Sequence, residues 1–171
     1  WQGRYERIRV IGDKTRSAQS VEWLHARPER LEKLADTTRA KIRLLHVIRN
    51  PFDTIARRSM RRRQPLERMT REYFVLADQL MGLLERLDDG FAGAARIPVY
   101  LEKMIASPSG QLESICKGLG VTAEPAYLEA CAGIVYGKPS EPRKAVDWPV
   151  ALSSEIQSRI RDIPYLAHYS L

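Results

Sequence analysis

The stretch "IRLLHVIRNPFDTIARRSMRRR", residues 42–63, decides the fold. Ile42–Ile48 is short, β-branched and almost continuously apolar, the pattern of an interior parallel strand covered on both faces. The run ends at Arg49, turns at Asn50-Pro51 and continues into a helix-like segment crowded with arginines. Asn50 can cap that helix through its side chain, Pro51 suits the first helical position, and Asp53, three residues after Asn50, can complete a capping-box-like exchange. Open α/β sheets bind ligands at the carboxyl ends of their strands, where Arg49 sits. A helix N-terminus beside an arginine attracts anions twice, through the amides of the helix end and through a guanidinium fork that matches phosphate oxygens. Arg49 is therefore a candidate anion receiver, with a strand-end salt bridge as the plainer alternative. Arg57, two turns along, either reaches the same ligand or faces solvent. Arg58, Arg61, Arg62 and Arg63 read as a solvated or acceptor-facing surface.

Outward from this unit, "RIRVIGDK" (7–14) alternates apolar and charged residues, which predicts a short strand followed by a loop. Residues 17–41 read as helix with a break near Pro28. After Pro65, Met69, Tyr73, Leu76, Leu80, Leu83 and Leu87 step by four and three, which predicts a long helix with one buried stripe. "DDGFAGAA" (88–95) is a loop; it follows a helix and precedes a strand, the wrong order for a phosphate cradle. "RIPVYLE" (96–102) is a third short strand. "SPSGQLESICKGLGV" (107–121) is a helix with Gly118 or Gly120 near its end, and a further helix covers about Pro125 to Ile134. "YGKPSEPRKAVDWP" (136–149) is an irregular loop. "ALSSEIQSRIRDIPYL" (151–166) is the last helix, with Ser153 or Ser154 as its cap. Alternating strands and helices give an α/β fold, a parallel-sheet core flanked by helices, in one domain over residues 1–171.

The formal charge of +7 implies an anionic partner: nucleic acid, a nucleotide, an anionic substrate or an anionic membrane surface. Cys116 and Cys131 are too few for a disulfide or metal framework and read as free thiols in a reducing cytoplasm. His25, His46 and His168 have no metal spacing, and His46 reads as a core or strand-end residue; no metal site is expected. No apolar run is long enough to span a membrane, and "WQGRYERIRV" has no signal-peptide core. The chain opens on Trp1 rather than Met, which predicts a piece of a longer protein.

These residues resemble the sulfotransferase superfamily, which moves a sulfuryl group from 3′-phosphoadenosine 5′-phosphosulfate (PAPS) to a hydroxyl or amine. The family carries a strand ending in an R-N-P-x-D-like turn, then a helix bearing a Ser or Thr, and that unit binds the 3′-phosphate. "HVIRNPFDTIARRS" (46–59) looks like it. The resemblance places Arg49 on the 3′-phosphate; the family's helix hydroxyl falls at Arg57, and the nearest hydroxyl is Ser59. "VYLEKMIASPSGQLESICKGLGV" (99–121) is similar to the family's Y-E-D-L strand, turn and helix, with Glu102 matching the Glu and Leu101, beside Tyr100, at the adenine-side tyrosine. "EPRKAVDWPVALSSEIQSRI" (141–160) resembles the cofactor-covering loop, so that Arg143 and Lys144 match its phosphate-binding basic pair, with Ala145 in place of a glycine. "IPYLAHYSL" (163–171) resembles the family's closing segment. The implied fold is a P-loop-NTPase-like sulfotransferase fold.

The family's loop of the P-K-S-G-T-T kind, which holds the 5′-phosphosulfate, does not occur here. It is expected upstream of Trp1, so that the fold is N-terminally incomplete and this piece alone binds the 3′-phosphate end weakly and turns over poorly or not at all. "RVIGDKT" (9–15) then resembles the second family strand, and Asp13-Lys14-Thr15 matches the glycan branch's E-K-S/T motif, with Asp for Glu. Sulfuryl transfer, like phosphoryl transfer, needs a base for the acceptor's proton and cations at the leaving group. Asp13 is the candidate base and Lys14 the candidate cation, with a strand-end turn as the alternative. Arg49, Arg143 and Lys144, with Arg57 and Ser59 as helix-borne candidates, are the cofactor-binding set. The expected partners are this nucleotide and a small-molecule or glycan acceptor. Two rival readings are another nucleotide-dependent transferase or kinase, which needs its own glycine-rich loop, and a basic nucleic-acid-binding module.

Overall fold

Prolines open several of the helices. The computed structural model describes residues 8–12, 17–135 and 137–171. Two short helices, α1 (Ser17–Ala26) and α2 (Glu29–Thr38), meet at Pro28. Strand β1 (Arg43–Ile48) leads into α3 (Pro51–Arg62), and after Pro65 the chain forms the long helix α4 (Leu66–Asp88). A 3-10 turn (Phe91–Gly93) precedes β2 (Ala95–Tyr100), which runs directly into α5 (Leu101–Ala106) and α6 (Pro108–Leu119). Helix α7 (Pro125–Ala132), a 3-10 turn (Pro142–Ala145) and α8 (Val150–Arg161) complete the order. Pro51, Pro108 and Pro125 stand at the start of α3, α6 and α7, where the missing N–H costs nothing.

The fold is α/β, mostly helical, around a small parallel sheet. β1 pairs with β2 from Arg43 opposite Ala95 to Ile48 opposite Tyr100, and among the described residues the sheet has these two strands. The strand expected at Ile8–Ile11 does not form: residues 8–12 have no regular structure, and Ile8, Val10 and Ile11 are 60%, 42% and 84% exposed. So short an alternation gains nothing without a neighbour to pair with and a face to bury. The double cover expected for β1 is also incomplete. Leu45 and Val47 on one face are 47% and 62% exposed, whereas Ile97 and Val99, their ladder partners, are buried. Gly118 of α6 makes that cover over β2, because a Cβ there would lie 2.8 Å from Ile97 Cδ1. Gly120, at φ +74°, is the residue that ends α6 in the left-handed conformation.

The core lies on the helical side. Ile48, Phe52, Ile55, Met69, Phe74 and Ala77 pack with Leu152, Ile156, Ile160, Ile163, Leu166 and Tyr169, joining α3, α4, α8 and the segment after α8. A second cluster joins Leu31 of α2 to Leu83, Leu84 and Leu87 of α4 and to Ala94. α4 serves both clusters, so its buried face is wider than the expected stripe. Met69, Leu83 and Leu87 are buried as expected, Tyr73, Leu76 and Leu80 only half so, and Phe74, Ala77 and Leu84 are buried as well.

Neither Ser153 nor Ser154 caps α8. Pro149 precedes its first turn without a side-chain cap, and Ser153 lies inside the helix, its hydroxyl donating to the Val150 carbonyl at 2.9 Å. Among the described residues, no helix is long and apolar enough to cross a membrane, and no group of three or more His, Cys, Asp or Glu could hold a metal.

Candidate functional site

The Asn50-Pro51 turn builds the site. Asn50 Oδ1 accepts from the Phe52 amide at 2.9 Å, as a capping residue should. The other half of the capping box is not made by Asp53. The Asn50 backbone N–H donates to Glu102 Oε1 at 3.0 Å, a contact 52 residues distant in sequence. Glu102 stands in the first turn of α5, and its other oxygen accepts from the Tyr169 hydroxyl at 2.7 Å. Asn50 Nδ2 donates to the Ser170 carbonyl at 2.8 Å, so the helix start is bolted to two distant segments.

Asp53 is thereby released for a different task. Its side chain is 3% exposed and accepts from the Arg143 backbone amide at 3.1 Å and from Arg143 Nη1 at 2.5 Å. Arg49 Nη2 lies 3.9 Å from the same carboxylate. A carboxylate so buried is tolerable only with such partners. Asp53 is what fastens the loop of residues 137–149 to α3.

Three of the five residues expected at a phosphate come together here. Arg49 donates to the Ser140 carbonyl in a tight contact, and Arg57 Nη2 donates to the Ser140 hydroxyl at 3.2 Å. Arg143 enters from the opposite side, shared between Asp53 and Glu141, whose Oε1 is 2.7 Å from Arg143 Nη2. Arg49 has its pKa lowered, first by burial and then by the charge of Arg57, with Arg143 acting the same way and Asp53 and Glu102 opposing. An arginine stays charged regardless, so the shift records first a guanidinium drawn out of water and only then the positive charge beside it. Lys144 sits at the rim: its side chain is 68% exposed and its ammonium pairs with Glu141 at 2.7 Å. That bond to Lys144, aided by the charges of Lys144 and Arg143, holds the Glu141 carboxyl below its usual range.

Ser59 is not part of this corner. Its hydroxyl donates to the Gln64 carbonyl at 2.6 Å, beyond the end of α3. Two residues from Arg57 is about 200° around a helix, the far side. Asp13 and Lys14, the expected base and cation, lie outside the described residues. His46, on the strand before Arg49, packs edge-on against Tyr165 at 4.7 Å, with its Nδ1 buried and without a partner. Burial, then Arg96, lowers its pKa to about 4.

A cavity of about 260 Å³ opens at the corner, lined by Asn50, Asp53, Glu102, Arg143, His168 and Tyr169 among others. A groove of about 500 Å³ beside α6 contains none of the residues singled out above. Whole-ligand pockets usually run from roughly 300 Å³ upward, so this cavity is small for a complete ligand, and its lining holds Arg143 but not Arg49 or Arg57, together with the carboxylates of Asp53, Glu102 and Glu141.

Sequence reasoning did not assign roles to Glu102, Tyr169 and Ser170 in seating Asn50. Nothing local to residue 50 signals partners 52 and 120 residues away. No protein-family model, no curated protein and no solved structure matches the chain.

Proposed function

We propose that this corner is the 3′-phosphate seat of a PAPS-dependent sulfotransferase, serving the transfer of a sulfuryl group to a hydroxyl or amine of a small-molecule or glycan acceptor. The observation that carries the reading is the meeting of Arg49, Arg57 and Arg143 at the start of one helix, although Arg143 comes from a segment 90 residues away from the Asp53 it contacts. Like charges so close repel, and a shared dianion relieves the repulsion.

Arg49 and Arg57 hold the phosphate oxygens, and Arg143, steadied by Asp53, closes the opposite side. Lys144 lies at the rim, near enough in sequence to add a fourth cation. The Asn50 cap and Glu102 fix the angle at which α3 leaves the strand, and with it the position of Arg49. The bound nucleotide supplies the sulfuryl group. Asp13 takes the acceptor's proton and Lys14 supports the leaving group in this proposal. Ser59, on the far side of α3, drops out of the phosphate set.

A thermal-shift titration with 3′,5′-ADP, 5′-AMP and single-stranded DNA tests the reading. The expected result is a shift specific to 3′,5′-ADP. Equal shifts with all three overturn it and favour a nucleic-acid-binding module; a shift with 5′-nucleotides alone favours another nucleotide-dependent transferase or kinase.

A further inference from the structure

The cations of this corner are already occupied by the chain itself. The segment Gly137–Ala145 has only a 3-10 turn as regular structure, over Pro142–Ala145. It presents its own oxygens to the arginines: the Ser140 carbonyl to Arg49, the Ser140 hydroxyl to Arg57, and the Glu141 carboxylate to Arg143 and Lys144. In the proposed seat, these are the contacts that an anion's oxygens would make. The cavity left beside them is only about 260 Å³.

The contacts differ in kind. Arg143 is held by carboxylates, Asp53 and Glu141, and Asp53 is 3% exposed. Arg49 and Arg57 are held on the loop side by the neutral oxygens of one exposed residue, Ser140. A neutral acceptor is a weaker partner for a guanidinium than a dianion, which binds in a charge-assisted and often forked manner. The loop is therefore firmly pinned at Arg143 and weakly pinned at Ser140.

We infer that Gly137–Glu141 is an autoinhibitory latch: Ser140 occupies the anion seat of Arg49 and Arg57, and a phosphate monoester binds by displacing it while Arg143 stays anchored on Asp53. This rests on the reading of the corner as an anion seat and adds how that seat is regulated. The latch lowers affinity for weak monoanions, which cannot outcompete it, and reserves the seat for dianions. It also makes the hydroxyl of Ser140 a competitor of the ligand rather than one of its contacts.

The test is the affinity of the whole chain for inorganic phosphate and for 3′,5′-ADP, with 5′-AMP as the comparison, by calorimetry at fixed ionic strength, in the native protein and in Ser140→Ala and Ser140→Asp. Ser140 is exposed, so neither change threatens folding. Removing the hydroxyl takes away one bond that competes for Arg57, and both ligands are expected to bind Ser140→Ala about fivefold more tightly. Ser140→Asp places a charged competitor in the seat, and binding is expected to weaken by about tenfold or more. Unchanged or weaker binding by Ser140→Ala overturns the latch, as does undiminished binding by Ser140→Asp or a failure of all three proteins to bind phosphate. If Ser140→Ala gains affinity for phosphate but 3′,5′-ADP is bound no better than 5′-AMP, the latch stands and the sulfotransferase reading falls. If 3′,5′-ADP is preferred yet Ser140→Ala gains nothing, the reverse holds.

Discussion

The two sides of β1 meet opposite fates. At its carboxyl end the chain runs into the most tightly determined part of the molecule: Asn50 is 6% exposed, Asp53 2%, and Phe52 and Ile55 are fully buried. Along its outer face, Leu45 and Val47 stand in the open, and Ile8–Ile11 contributes no strand. The same six-residue strand therefore leads into a well-bonded joint and carries an unfinished surface. The contrast teaches that apolar character makes a strand, but burial is decided by what the rest of the chain can bring to each face. α3, α4 and α8 cover one side, whereas α6 reaches only the β2 half of the other.

Substitutions on the two sides break or sharpen this contrast. Phe52→Ala should have the largest effect. The ring is fully buried and packs edge-on against Trp148 at 5.1 Å, so its loss should cost about 3–5 kcal/mol, read as a fall in the urea midpoint. A loss below about 1 kcal/mol would mean that the joint is not the rigid part. Asp53→Asn comes next, at about 3 kcal/mol, because it leaves Arg143 half-buried without its main counter-charge. Loop 137–149 should then become a tryptic target at Arg143 and Lys144, and an intact loop would contradict its anchoring role. Glu102→Gln keeps the shape but weakens two hydrogen bonds, to Asn50 N–H and Tyr169 O–H, for about 1–2 kcal/mol. Tyr169 should then ionise more readily, since Glu102, after burial, holds its pKa up; an unshifted ultraviolet titration would show otherwise.

The fourth probe concerns the strand between the two sides. His46 has its pKa lowered to about 4 by burial and then by Arg96, against 6.5 in an unstrained setting. The unfolded chain thus binds the proton more strongly than the folded one. Stability should fall as pH drops from 6.5 toward 4 and should owe nothing to this group above 6.5. His46→Leu should flatten that window in urea titrations, and an unchanged slope would assign the acid sensitivity elsewhere. Val47→Thr on the open face is the smallest change, expected within about 0.5 kcal/mol. A larger loss would reveal a cover on that face.

What was legible in the sequence is what local chemistry writes. The strand at 43–48, the Asn50 cap, Pro51 at the first position of α3, the break at Pro28 and the long α4 all follow from residues within a turn or two of one another. The position of Arg49 at the strand's end, beside the start of α3, was legible for the same reason. Asp53 misled because the capping-box spacing was right while a carboxylate from α5 took the bond. The Ile8–Ile11 strand misled because alternation states a preference for pairing, not the presence of a partner. Ser59 was chosen for its chemistry, and the helical turn put it on the wrong face.

The bond from Asn50 Nδ2 to the Ser170 carbonyl spans 120 residues. It means that the corner cannot close before residue 170 is present. Strand β1, α3 and α4 can form while they emerge from the ribosome, with local contacts to guide them. Arg49 takes up its final setting only once residues 169 and 170 are in place, because Asn50 and Glu102 are both waiting for Tyr169 and Ser170. Contacts of such high sequence separation fold slowly. A nascent chain therefore carries this arginine cluster for a time without the contacts that organise it.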